Sequence, residues 1–218
     1  MARSRHPEQT IAHILDAAQK LFLNKGYENT SIQDIINEVG NITKGAIYHH
    51  FPSKQALFVA VNERFDDAYG EQVQAIAKDK KLSGQEKLRG MLKASANSNV
   101  QLVRFSARLS LLENPKLLAS LIEGLHCTAP TLVTPVIEQC IKEKSISVSE
   151  APEAAELILF ILNTWLNPML FQVSQEQMLR RLTLMETIFK SIGLDILDEE
   201  IKKQFLYFNE LYNQHQAQ

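Results

Sequence analysis

Cysteine and tryptophan are scarce in this chain, with two of the first and one of the second among 218 residues. A disulfide-held scaffold is thereby excluded, since Cys127 and Cys140 stand in apolar helical surroundings and not in a dense, loop-rich framework. A reducing cytoplasmic setting is the expectation. Long apolar runs are missing too. The most apolar stretch, Leu157 to Phe171, is broken by Asn163, Thr164, Asn167 and Pro168, well short of the ~20 mainly apolar residues that cross a bilayer. Behind Arg3 and Arg5 no apolar segment of signal-peptide length follows, so neither export nor a membrane partner is expected. Repeats and low-complexity tracts are absent, and the only hint of strand alternation, Ser145 to Val148, is too brief to count. Nor is there an excess of positive charge. A net charge of −2 argues against coating nucleic acid by bulk electrostatics, so any DNA binding must come from where the charges sit.

What is present is helical periodicity in a chain that is 45% hydrophobic, enough for one sizeable core or two small ones. Ile11, Ile14, Leu15, Ala18, Leu21 and Phe22 form one apolar stripe, ended by Gly26. After a turn at Gly26 to Asn29, Thr30 or Ser31 can cap a second helix, with Thr30 and Gln33 spaced as a capping box. Its buried face is Ile32, Ile35, Ile36 and Val39, and Gly40-Asn41 stops it. Thr43 caps a short third helix from Lys44 to about His50, which must end at Phe51-Pro52 because the residue before proline is pushed out of the helical region. Ser53 then caps a longer helix to about residue 78. Further helices are expected over about 85–98, 101–113, 116–144 with breaks or kinks at Pro130 and Pro135, 151–173, 175–192 and 198–214.

Two short helices around a tight turn describe a helix-turn-helix over roughly residues 31–50. The chemistry suits a DNA major groove. Gly45 and Ala46 leave little bulk at the start of the third helix, and Lys44 can reach guanine edges or phosphate. Tyr48, His49 and the hydroxyls of Thr30, Ser31 and Thr43 are candidate phosphate donors, as is Lys54 just past the turn. Charge is distributed to match: residues 1–54 are net +1 against −3 for the remainder, and no acid lies between Val39 and Asn62. Arg3 and Arg5 read as a minor-groove arm or as a plain basic tail.

At these residues the sequence resembles the TetR family of bacterial regulators. TSIQDIINEVGNITKGAIYHHFPSKQAL carries the family's capped helix, glycine turn, Thr-Lys-Gly, Tyr-His-Phe core and Ser-Lys-x-x-Leu, and the likeness covers about residues 9–62. One position departs. The family passes from the turn glycine directly to an apolar residue and Ser/Thr, whereas Asn41 stands between Gly40 and Ile42, so the turn is expected to be one residue longer.

The resemblance implies an all-α protein with a three-helix DNA-binding head (1–54), a linking helix (about 54–78) and a helical body (79–218) that binds a small-molecule effector and dimerises. It further implies a repressor that binds double-stranded DNA at a palindromic operator as a homodimer and is released by the effector, with no cofactor. The body's composition is compatible. Leu157 to Leu162 is apolar around the whole helix, so one face can meet its own core and another a partner. Leu157, Phe160 and Ile161, with Leu182, Met185 and Phe189 on the companion helix, are the expected interface of a four-helix arrangement about a two-fold axis. Polar residues on apolar faces, Arg104, Arg108, His126, Asn163 and Trp165, are the effector-site candidates.

Two other classes are weighed. An enzyme is disfavoured by the lack of GxSxG, a glycine-rich phosphate loop, HExxH or a carboxylate pair in an apolar setting. Metal is disfavoured because His49 and His50 are adjacent and have no Cys or carboxylate at ligand spacing. A helical interaction module without DNA binding is the remaining alternative.

Overall fold

A computed structural model describes residues 7–96, 118, 119 and 122–216. The described residues are helical, with no strand among them. The elements are α1 (Pro7–Lys25), α2 (Ile32–Val39), α3 (Lys44–His50), α4 (Lys54–Lys78), α5 (Gly84–Ser95), a π-helical turn (Gly124–Thr128), α6 (Ala129–Lys142), α7 (Ala151–Phe160), a second π-helical turn (Ile161–Trp165), α8 (Gln175–Ser191) and α9 (Glu199–Gln216). They fall into two compact units whose division lies inside α4, between Ala68 and Tyr69. The helix expected over 101–113, with Arg104 and Arg108, lies outside the described residues, as do Arg3 and Arg5.

The head is built on one apolar centre. Ile14, Ala18 and Phe22 of α1, Ile35 of α2, Ile47 of α3 and Leu57 of α4 are fully enclosed, with Leu21, Phe51, Phe58 and Val61 closing the rim. Phe22, Tyr27 and Phe58 meet in tilted and edge-on contacts with centroids 5.0–5.7 Å apart, an arrangement favoured by the ring quadrupoles. Ion pairs rim it: Lys20–Glu38 at 2.6 Å, Lys25–Asp34 at 3.0 Å and Arg64–Asp16 at 2.6 Å. All are exposed enough to contribute little individually.

In the body, α5 to α9 share a larger core that includes Leu88, Leu92, Ile137, Cys140, Ala155, Ile158, Leu166, Met178, Leu182, Met185, Phe189 and Ile201. Polar staples fix the start of α5 against α6. The Gly84 N–H donates to Glu143 Oε2 at 2.9 Å, and the buried ammonium of Lys87 donates to Gln139 Oε1 at 2.8 Å. Gln85 reaches three backbone groups, donating to the carbonyls of Ser145 and Gly193 and accepting from the Asp195 N–H.

The expected helix breaks are found in part. Pro135 sits inside α6 without ending it, whereas Pro130 directly follows a departure from regular α-geometry, as a residue without an N–H inside a continuous helix would produce. The irregularity lies just upstream, in the π-helical turn at Gly124–Thr128. The helix expected over 151–173 is also shorter. It passes at Ile161 into the second π-helical turn, and the Leu166 N–H closes that turn on the Ile161 carbonyl at 3.1 Å.

Candidate nucleic-acid interface

The turn between α2 and α3 accommodates its extra residue locally. Gly40 closes α2 at φ 85°, a left-handed value natural to glycine, and its N–H donates to the Ile36 carbonyl at 2.9 Å. The Ile42 N–H then donates to the Gly40 carbonyl at 2.8 Å, a three-residue γ-turn centred on Asn41. Asn41 has no positive φ, so the turn is of the common inverse kind. The insertion is taken up in that ring. Thr43 follows as the expected cap of α3, accepting from the Ala46 N–H at 3.2 Å.

α3 shows one face inward and one outward. Ile47 is fully buried and the Phe51 N–H closes the helix on its carbonyl at 2.8 Å. Lys44, Gly45, Tyr48 and His49 face solvent, with Ala46 and His50 half-buried on the flanks. Lys44 lies 5.9 Å from the centre of the Tyr48 ring and has no carboxylate partner among the described residues. That sets it apart from Lys20, Lys25 and Arg64. Gly45 is more informative. A Cβ built there meets nothing within 4 Å, so the chain's own packing does not require glycine at that point. Gly70 and Gly124 are equally open, and what distinguishes Gly45 is its place on the solvent-facing side of α3 beside Lys44 and Tyr48.

Two expected contacts are corrected. Thr30 is 1% exposed, and its hydroxyl donates inward to the carbonyls of Gly26 at 2.8 Å and Leu21 at 3.3 Å. It fastens the end of α1 and is closed to a phosphate. The cap of α2 is Ser31, in a capping box with Asp34 and not Thr30 with Gln33. Ser31 Oγ and N–H both donate to Asp34 Oδ2, at 2.6 and 2.8 Å, and with Lys25 these bonds hold the Asp34 carboxyl far below the ordinary range. Lys54 is the second correction. Its ammonium donates to the Tyr27 carbonyl at 2.9 Å and lies 4.2 Å from the centre of the Tyr27 ring, so it clamps the α1–α2 turn. Ser53 caps α4, accepting from the Ala56 N–H at 3.0 Å.

The effector candidates are not gathered into one place. His126 lines an open groove of about 450 Å³ with Ile122, Leu125, Glu153, Glu156, Leu157 and Phe160. The Asn163 amide donates to the Leu159 carbonyl of its own helix at 2.9 Å. Trp165 lies under the Arg181 guanidinium, 5.2 Å from ring centre to carbon, and its carbonyl accepts from Arg181. The interface candidates divide. Leu157 and Phe160 are 56% and 58% exposed and Ile161 is half-buried. Leu182, Met185 and Phe189 are sealed in their own core, so that expectation took the wrong face of α8. The outward apolar residues of α8 are Leu179, Leu184 and Ile188.

Comparison with known proteins fits this geometry. Residues 14–61 match the family described as bacterial regulatory proteins, tetR family. The chain is 41% identical over 73 residues to the HTH-type transcriptional regulator AcrR of Shigella flexneri, covering 33% of this chain and 34% of that protein. It is likewise 41% identical over 61 residues to the A-factor receptor protein of Streptomyces griseus, covering 28% of this chain and 22% of that one. These matches therefore span between about a fifth and a third of the relatives' own length. In fold the likeness extends further. A TetR-family transcriptional regulator from Pectobacterium atrosepticum superposes with TM-score 0.61 at 23% identity, over 89% of this chain and 99% of that one. Residues 14–61 are thus similar to the tetR family of bacterial regulatory proteins, and the fold is one that a solved TetR-family regulator shares.

Proposed function

We propose that the chain is a ligand-responsive transcription regulator, not an enzyme, that represses by holding a palindromic operator as a homodimer and lets go when a small molecule binds. The observation that carries the reading is α3: an outward helix with an unpaired lysine and a glycine its own fold does not need. In this reading Lys44, Gly45, Ala46 and Tyr48 meet base edges and the adjoining backbone. Ser31, Thr43 and His49 lie near phosphates. Two copies present their α3 helices about one DNA turn apart, ~34–36 Å.

The division of labour follows the sequence: residues 1–54 contact DNA, the helix to about 78 links, and residues 79–218 hold the effector and the partner. His126, Asn163 and Trp165 remain the effector contacts we favour among the described residues. Each lies in a π-helical turn, a distortion that recurs at functional sites because it gives up regular helical bonding. A coupling of ~1–3 kcal/mol between effector and DNA would change affinity roughly 5–150-fold, enough to switch occupancy.

The test is a mobility-shift and footprinting assay of the full chain on DNA flanking its own gene. A complex that survives competitor DNA, weakens steeply with salt and protects an inverted repeat is expected. Absence of any sequence-specific complex on genomic fragments would sink the reading and favour an interaction module instead.

A further inference from the structure

Two carboxylates of α7 are relieved by nothing among the described residues. Glu153 and Glu156 stand three positions apart on one helix, so they share a face and repel each other. Both are exposed, and neither has an ion pair or hydrogen bond among the described residues. Other carboxylates of the body are engaged: Glu143 accepts from the Gly84 N–H, Glu186 pairs with Lys190 and Lys202, and Glu200 pairs with Lys93.

Glu153 and Glu156 flank the open groove of about 450 Å³ that His126 also lines, a volume in the range that takes a drug-sized molecule. Its remaining walls are Ile122, Leu125, Leu157 and Phe160, and no lysine or arginine is among its lining residues. Ile122, Leu157 and Phe160 are each about half exposed, so a large apolar surface lies open beside the two charges. Both irregular turns of the body border it. Leu125 and His126 belong to the first π-helical turn, and Phe160 stands where α7 passes into the second. An occupant of the groove therefore touches the two places where regular helical bonding is already given up.

These walls discriminate by charge. An anion would meet two carboxylates and no cation, and a neutral apolar molecule would leave their repulsion unrelieved. A hydrophobic cation gains twice: its apolar body takes Ile122, Leu125 and Leu157 out of water, and its charge is attracted by both carboxylates and by the Phe160 ring.

We propose that the effector is a hydrophobic organic cation, an amine or onium compound, seated in this groove with its charge beside Glu153 and Glu156 and its apolar body on Ile122, Leu125, Leu157 and Phe160. This rests on the ligand-responsive reading above and adds the chemical class of the ligand.

The test is calorimetric titration of the full chain with tetraphenylphosphonium and with tetraphenylborate, which match in size and shape and differ in the sign of their charge. Wild type should bind the phosphonium saturably and the borate at least about tenfold more weakly. The double variant Glu153→Gln/Glu156→Gln should lose at least about tenfold in phosphonium affinity and narrow the gap between the two ions. Its new side chains are exposed and of nearly the original size, so its melting temperature should stay that of wild type. Phosphonium should also release the wild-type DNA complex over the concentrations at which it binds. A chain that takes up no phosphonium, binds both ions alike, or keeps its phosphonium affinity after the double substitution would overturn the cation site. Uptake that depends on the two carboxylates yet leaves the DNA complex intact would overturn the effector role. Failure to form any specific DNA complex would instead count against the preceding reading, and the titration would still decide for or against the groove.

Discussion

Gly45 and Gly84 both stand in the first turn of a helix, one in the head and one in the body, for opposite reasons. Around Gly45 there is nothing within 4 Å for a side chain to strike, whereas a Cβ at Gly84 would lie 2.4 Å from Cys140 Sγ and 2.9 Å from the Cys140 backbone nitrogen. The body's glycine is required by its own packing. The head's is not, and on the proposed function its smallness leaves room for DNA. The same contrast runs through the charges. Most of the head's cations are spent on its own carboxylates and carbonyls, leaving Lys44 outward. The body leaves Glu153 and Glu156 on α7 without an ion pair among the described residues.

Substitutions can break or sharpen this contrast. The largest loss of stability is expected at Gly193, where φ is 87° and a Cβ would lie 2.7 Å from the Ser145 carbonyl oxygen. Gly193→Ala should combine left-handed strain of about 1–2 kcal/mol with overpacking of about 1–3 kcal/mol, read as a lowered midpoint in urea. Gly84→Ala follows, at about 1–3 kcal/mol, because part of what it meets is backbone. Gly45→Leu should behave in the opposite way, with unchanged or slightly raised melting temperature but specific DNA affinity at least about tenfold weaker, ~1.4 kcal/mol. A Gly45→Leu protein that unfolds early, or binds its site normally, would remove the contrast between the two glycines. Lys44→Ala should weaken binding more modestly; if the contact is to phosphate, the slope of log affinity against log salt should fall by about 1.

The smallest effect concerns the cap of α2. Ser31→Ala should cost about 1 kcal/mol at neutral pH, measured by chemical denaturation. Because bonding to Ser31 lowers the folded Asp34 carboxyl, its contribution is present above the ordinary carboxylate range and is lost as pH falls toward the depressed value. The gap between wild type and variant should therefore narrow in strong acid.

The head was largely legible in the sequence because its signals are short-range. Thr43 and Ser53 cap where their spacing predicts, and the inward positions of Ile35 and Ile47 follow from helical period. Thr30 and Lys54 were misjudged because their partners, the carbonyls of Leu21, Gly26 and Tyr27, belong to a tertiary turn that spacing does not reveal. The acid three residues after Ser31 was the usable clue to the true cap. The body was legible only as a succession of helices. On α8 apolar residues occupy several faces, so period alone could not separate inward Leu182, Met185 and Phe189 from outward Leu184 and Ile188. Arg181 carried no signal, because its aromatic neighbours come from residues ten and sixteen positions earlier.

The γ-turn at Asn41 separates the length of the α2–α3 junction from the orientation of α3. Which residues α3 turns outward depends on its roll about its own axis, and Ile47, locked in the apolar centre, sets that roll. A single hydrogen-bonded ring upstream takes up the surplus chain. A version shortened by Asn41 should therefore keep the same outward face on α3 and, on the proposed function, recognise an unaltered operator.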